Sequence, residues 1–407
     1  MAQERGKATH RWETKESMKG LKVVCLMAFL MSLGLSMGNL LLPLFVNDLE
    51  IGPSDMGLLF FISNLASCAL RTPVGLLSDR SDRRGFMLSS GFLMVMSGAL
   101  FILSTMRPTQ LVLPFILWGA ASALYFTINI PLIADLTYSD ERVKAFGMVG
   151  IAQNVAITIG PILAGVVTEL CGFTMAFIVL IVSSALLMFS SFKLPETHSK
   201  GEERKSDLGV KAAISKRNRS IIKAFALLNL IHGVYTGMCW TMYPIFFKDA
   251  HNLTYFEISL INTVMMLSQT IGFYLNGKGP FSSNSRLLMA FSTLSSSFMV
   301  LSCTAAKSSL WFFPISLIFG FLSAFGLLSP VGNSIFMGGL DESIRGLAKG
   351  ITGTVLRGGM AVGSILMGWL WADYGMIAIF YAGAALLLFE AAVMWIVIPR
   401  DGLPAPK

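Results

Sequence analysis

Twelve stretches of this sequence run for twenty residues or more with few charges inside them. They are Val23–Val46, Met56–Leu77, Phe86–Met106, Leu111–Ala134, Val143–Thr168, Phe173–Phe192, Ile221–Phe247, Phe256–Leu275, Leu287–Ala306, Leu310–Met337, Leu347–Ala372 and Met376–Ile398. A helix rises about 1.5 Å per residue, so about twenty apolar residues cross a hydrocarbon layer roughly 30 Å thick. Inside such a layer every backbone donor and acceptor must be satisfied within the chain, which favours helices for segments of this length. A water-soluble core is excluded by the balance of the 407 residues, 54% hydrophobic and 13% charged, where soluble domains carry about a quarter charged residues. The expected class is an all-α polytopic membrane protein with twelve transmembrane helices.

The net charge of +8 is distributed by loop. With the N-terminus placed in the cytoplasm, 26 of the 31 Lys and Arg fall on the cytoplasmic side. Arg107, Lys248 and Lys307 fall outside, and Arg71 and Arg357 lie within spans. By the positive-inside rule this predicts a multi-pass protein of the cell membrane with both termini cytoplasmic. The basic excess then reports topology and contact with membrane lipid, and nucleic acid is not expected as a partner. The first 22 residues are polar and mixed in charge, and the apolar run after them is too long for the core of a signal peptide. Cys25, Cys68, Cys171, Cys239 and Cys303 are scattered without metal-like spacing, so neither a disulfide framework nor a metal site is expected.

One connection stands apart. Residues 195–220, "PETHSKGEERKSDLGVKAAISKRNRS", form a polar, basic cytoplasmic linker between six spans at 23–194 and six at 221–398, with tails at 1–22 and 399–407. A shift of 203 residues lays Arg83 on Arg286, Arg142 on Arg345, Ala145 on Ala348, Gly147 on Gly350, Gly160 on Gly363 and Gly165 on Gly368. Such self-similarity predicts two pseudo-symmetric six-helix bundles related by an axis along the membrane normal, with an interface that can hold a cavity.

The first cytoplasmic loop reads "RTPVGLLSDRSDRR" from Arg71 to Arg84. It resembles the loop between helices two and three of the major facilitator superfamily, G-x-L-x-D-R-x-x-R-R, through Gly75, Leu77, Asp79, Arg80, Arg83 and Arg84, with Asp82 where Gly is commoner. The resemblance implies a gating motif. Asp79 would face the N-terminus of helix eleven, Arg83 would reach Asp135 at the end of helix four, and the pair would form an ionic latch on the cytoplasmic side. Asp79→Asn is accordingly expected to weaken the outward-facing state. The second loop, "NGKGPFSSNSRLL", keeps Gly277, Gly279 and Arg286 but has Ser282 in place of the acid, which predicts an asymmetric gate.

Residues 147–165, "GMVGIAQNVAITIGPILAG", resemble the helix-five antiporter motif of the drug/proton branch at Gly147, Gly160, Pro161 and Gly165, with Ala156 and Ala164 replacing two glycines. Small residues allow close helix contact and Pro161 removes a backbone donor, so this helix is expected at the domain interface. Other parts of that branch are missing. Phe115 stands where its helix four carries an arginine, and helix one has no mid-membrane carboxylate.

Ionisable groups at membrane depth are functional candidates by default. Arg357 is expected to touch substrate or a gate, while Arg71 is read as mainly structural. His232 and Glu390 are the proton-coupling candidates, imidazole because it titrates near neutrality. Asn39, Tyr125, Asn129, Gln153, Asn154, His232, Asn229, Tyr235, Asn262, Gln269, Asn333 and Arg357 are expected around the substrate pathway, an uncharged polar set among many Met and Phe. Asp48, Asp55, Glu169 and Asp373 are expected to be solvated at outer helix ends. No G-x4-G-K-S/T loop, catalytic set or cofactor motif occurs, so no catalytic residue, cofactor or ATP drive is expected.

Three readings remain open on these grounds. The first is a secondary carrier acting by alternating access, specifically an efflux antiporter of drug-like or amphiphilic compounds. The second is a uniporter or symporter of a sugar, organic acid or amino acid, and the third a non-transporting membrane sensor. The partners implied are a small-molecule substrate, a coupling proton and lipid, with a monomer as the functional unit.

Overall fold

In the computed structural model, residues 2–78, 81–104, 108–137, 142–194, 215–277, 285–306, 308–341 and 344–398 are described. Asp79 and Arg80 of the first loop lie outside them, as do Gly279 and Ser282 of the second and residues 195–214 of the linker. Among the described residues the chain is helical and contains no strand.

Span one lies in Ala2–Asp48, two in Pro53–Ser78, three in Arg83–Leu103 and four in Val112–Asp135. The first helix begins well ahead of the expected boundary, because its polar start is rich in Ala, Glu, Lys and Arg, which favour helix without needing a core. Spans five and six form one run, Arg142–Ser191, turned at Gly172. Span seven comprises Lys216–Tyr235, the π-turn Thr236–Trp240 and Thr241–His251, opening four residues before the expected end of the linker with Ser215 capping the amide of Asn218. Spans eight, nine, eleven and twelve are Tyr255–Gly277, Ser285–Ala305, Arg345–Tyr374 and Met376–Val397. Ten of these helical runs are long and apolar enough to cross a membrane.

Span ten is broken, against the single run expected at Leu310–Met337. Helix Phe312–Ser323 ends in successive tight turns in which Ala324, Phe325 and Gly326 bond back three residues, and Pro330–Gly338 then starts a second short helix. Pro330, whose missing N–H costs nothing at a first helical position, then starts the second helix.

The duplication is visible in the packing. Gly172 and Gly375, 203 residues apart, both leave the helix at φ near +80° (ψ 173° and 170°), a conformation that only glycine adopts readily. Gly160 rests on span one at Leu33 and Ser36, and its counterpart Gly363 rests on span seven at Val234. Gly165 meets Tyr255 and Ser259 of span eight, and Gly368 meets Pro53 and Gly57 of span two. In each half a glycine (Gly119, Gly320) lies on the backbone of the neighbouring helix at Ser63 or Met265. A methyl group at Gly119, Gly160, Gly165, Gly320, Gly363 or Gly368 would collide with the facing helix, which explains why these glycines repeat with the fold.

Antiparallel spans give the bundle two rims. One carries the loop from span two to three and the other basic connections, and is called the basic rim below. At the opposite rim the halves touch closely: Gly57 packs on Ser364 and Gly368, and Gly165 on span eight. At the basic rim Gly147, Gly150, Gly346 and Gly350 have open space where a side chain would stand, and Leu76, Leu77 and Leu347 are exposed. The halves are therefore clamped at one end and parted at the other.

Candidate functional site

Between the halves lies a cavity of about 400 Å³, lined by spans one, two, four and five on one side and seven, eight, ten and eleven, with Cys303 of span nine, on the other. Helix interruptions shape it. Pro43, Pro161 and Pro244 all reach its wall, and the π-turn Thr236–Trp240 precedes Pro244, whose ring would otherwise clash with the carbonyl of Trp240. Most of its surface is aromatic or aliphatic, including Phe60, Trp118, Trp240, Tyr243, Met265 and Met360.

Of the twelve residues expected around the substrate pathway, Asn39, Gln153, Asn262 and Arg357 line this cavity. Arg357 Nη1 donates to Asn64 Oδ1 at 3.4 Å across the seam, while Asn64 Nδ2 donates to Phe60 O at 3.0 Å and Ser364 Oγ at 3.4 Å. Gln153, which also lines the cavity, donates to the hydroxyl of buried Tyr125 at 3.4 Å, placing Tyr125 one layer behind the wall. Asn129 and Tyr235 are buried away from the cavity. Asn154 bonds back to Gly150 O at 2.8 Å, Gln269 to Ser323 Oγ at 3.0 Å, and Asn333 accepts from Lys349 Nζ at 2.5 Å. These are helix–helix or within-helix bonds, and they spend the polar group before a solute can reach it.

Asn64, Trp118, Trp240 and Tyr243 were not singled out by sequence. The amide of Asn64 carried a usable signal, a lone asparagine inside span two. Trp118 did not, because its place depends on Gly38, whose missing side chain leaves the space that the indole fills.

Two ion pairs lie within single halves. Arg83, its side chain 9% exposed, pairs with Asp135, as the family resemblance implied. Asp82 caps the start of span three by accepting from the Arg84 amide at 3.1 Å, which gives the acid a local structural role where glycine is commoner. Arg286, the repeat counterpart of Arg83, lies over the ring of Trp395 at 4.0 Å, so the two halves anchor this arginine differently. His232 Nδ1 meets both carboxylate oxygens of Glu390, at 3.1 and 3.2 Å. Glu390 is 0% exposed and faces span seven, although span twelve lies at the edge of the bundle. His232 stands one helical turn from Thr236 and two from Trp240, both cavity residues, on the same helix face.

A third cluster joins the halves at the opposite rim. Lys248 pairs with Asp48 and donates to Tyr255 Oη at 3.0 Å, and the Tyr255 hydroxyl also donates to Asp48. Asn47 Nδ2 reaches both oxygens of Asp249 at 3.1 and 3.2 Å, and the Tyr255 amide donates to Glu169 at 3.0 Å. Asp48 and Glu169 are thus bonded across the seam rather than merely solvated. Lys248–Asp48 is the one ion pair between the halves among the described residues.

The comparisons with known proteins agree in kind. The family model described as Major Facilitator Superfamily matches residues 24–242 and 225–407. The chain is 27% identical to the Na(+), Li(+), K(+)/H(+) antiporter of Planococcus maritimus over 154 residues, 37% of this chain and 36% of that protein, so this match spans about a third of each. It is 22% identical to the quinolone resistance protein NorA of Staphylococcus aureus, over 89% of this chain and 94% of that one. The crystal structure of a D-xylose-proton symporter superposes with a TM-score of 0.78 at 16% identity, covering 96% of this chain and 99% of that chain.

Proposed function

This chain belongs to the major facilitator superfamily, and on that premise we propose that it is an efflux antiporter, exchanging a coupling proton for a small amphiphilic compound by alternating access. The family and fold are those of a transporter rather than an enzyme. The observation that carries the reading is a largely apolar cavity held between two halves, clamped at one rim and parted at the other. With the basic rim in the cytoplasm, as the loop charges predict, this pose faces inward. Rocking about the cavity would break the Lys248–Asp48 cluster and bring the first-loop motif against span eleven.

The motif on span five and the buried His232–Glu390 pair support proton antiport. The pair can hold a proton between two groups of unlike charge, one turn from the cavity, and release it when span seven shifts. Phe115 keeps a second reading, metabolite symport, in play: where an arginine would stand, its ring packs between Phe60 and Phe101 at 5.0 and 5.3 Å.

Purified protein in liposomes tests this directly. An acid-interior pH gradient is expected to drive uptake of a fluorescent amphiphile, and collapsing the gradient with an uncoupler is expected to abolish it. Amphiphile flux that ignores the gradient, or sugar uptake driven by an acid exterior, would overturn antiport.

A further inference from the structure

The charge balance of the seam names a cargo more closely. Three cations lie on spans two and eleven along the seam, and Arg357 lines the cavity. Lys349, Gly353 and Arg357 share one face of span eleven at four-residue spacing, and Arg71 of span two points its Nη1 at the bare face of Gly353, 3.1 Å from where a side chain would begin.

Among the described residues none of the three has an acidic partner. Lys349 donates to Asn333, Arg357 to Asn64, and the Arg71 guanidinium lies 6.0 Å from the ring of Phe126 with its Nε unbonded. The two described acids that pair within a half are already taken, Glu390 by His232 and Asp135 by Arg83. Cations at membrane depth are costly and are retained where a partner, cavity water or a ligand compensates them, and these three are each partly exposed.

We infer that Arg357, with Asn64 facing it from the other half, is the binding site for the anionic head of the cargo, an amphiphilic monoanion such as an aryl carboxylate whose apolar body lies against the cavity's aromatic wall. An arginine presents parallel N–H donors that match a carboxylate, and Asn64 Oδ1, accepting from Nη1, orients the guanidinium and leaves its other donors for the head. The head would therefore bind at the Arg357–Asn64 contact, where the two halves meet and must move. Lys349 and Arg71 would draw the anion in from the basic rim. The inference rests on the carrier reading above and adds the sign of the cargo's charge.

Full-length protein in nanodiscs separates the possibilities with three probes of one shape: 2-naphthoate, 2-naphthamide and 2-naphthylmethylamine. Naphthoate alone is expected to raise the unfolding temperature and to bind with measurable affinity. Arg357→Gln is expected to weaken naphthoate by about tenfold or more while leaving any residual amide binding unchanged, with Arg357→Lys falling between. Equal or tighter binding of the amine, unchanged naphthoate affinity in Arg357→Gln, or binding of none of the three overturns the site. Should Arg357→Gln fail to fold, the wild-type ranking of the probes and Arg357→Lys still decide. Counterflow of whichever probe binds tests the carrier reading separately: transported amine would refute the anion site and leave the carrier intact, whereas bound but untransported naphthoate would do the reverse.

Discussion

Glu390 has no exposed surface, and within the hydrocarbon its carboxylate is paired with His232. Removing one member of a buried pair strands the other, at a cost of about 3–5 kcal/mol when a charge is left uncompensated. His232 can escape that cost by losing its proton, so Glu390→Gln is expected to stay folded and to retain solute exchange without a gradient. Uptake driven by a pH gradient is expected to fall to the uncoupled level, measured in the same liposomes. Glu390→Leu removes the hydrogen bond as well and is expected to unfold earlier on heating than Glu390→Gln. If Glu390→Gln responds to the gradient as the wild type does, the pair is structural.

At the scale of the helix, the members of the span-five motif have separate fates. Gly160 lies on span one with no room for a methyl group, while Gly147 faces open space. Gly160→Ala is expected to destabilise by about 1–3 kcal/mol through overpacking. Gly147→Ala is expected to be neutral or to stabilise by up to about 1 kcal/mol, because alanine favours helix and nothing obstructs it here. Thermal unfolding of the two variants in detergent checks the contrast. Equal losses would mean that Gly147 is packed in the resting protein. Gly147 lies on the parted side of the seam, so Gly147→Leu is expected to hinder closure of the basic rim without a loss of stability.

For the whole molecule, the two ends of the seam are held differently. The opposite rim has an ion pair, a tyrosine and an asparagine–aspartate contact, each partly exposed. Exposed pairs contribute about 0.2–1 kcal/mol, so Lys248→Ala is expected to shift the population away from the present pose by about fivefold or less. Distance measurements between spin labels on spans one and eight would show that shift as a longer-distance population. Joining Asp48→Cys to Tyr255→Cys with a short, reducible bifunctional thiol cross-linker that spans the space left by the tyrosine ring is expected to arrest transport, with recovery on reduction. Transport that persists while the rim is locked would rule out rocking about the cavity.

The periodic apolar runs determined the number of spans and the class, since hydrocarbon leaves a chain few other ways to satisfy its backbone. The 203-residue repeat was likewise legible, because the glycines it aligns are the residues that let equivalent helices touch in both halves. Local order also revealed that His232 and Glu390 are unusual. It could not bring them together, since they stand 158 residues apart and meet only when span twelve packs on span seven. The tertiary structure alone decided which polar groups are spent on neighbouring helices and which face the cavity: a side chain's one free direction depends on the rotation of its helix against the others. The rim cluster of Asp48, Lys248 and Tyr255, and the isolation of Arg357 from any described acid, arise at that level, where charges distant in the chain meet or fail to meet.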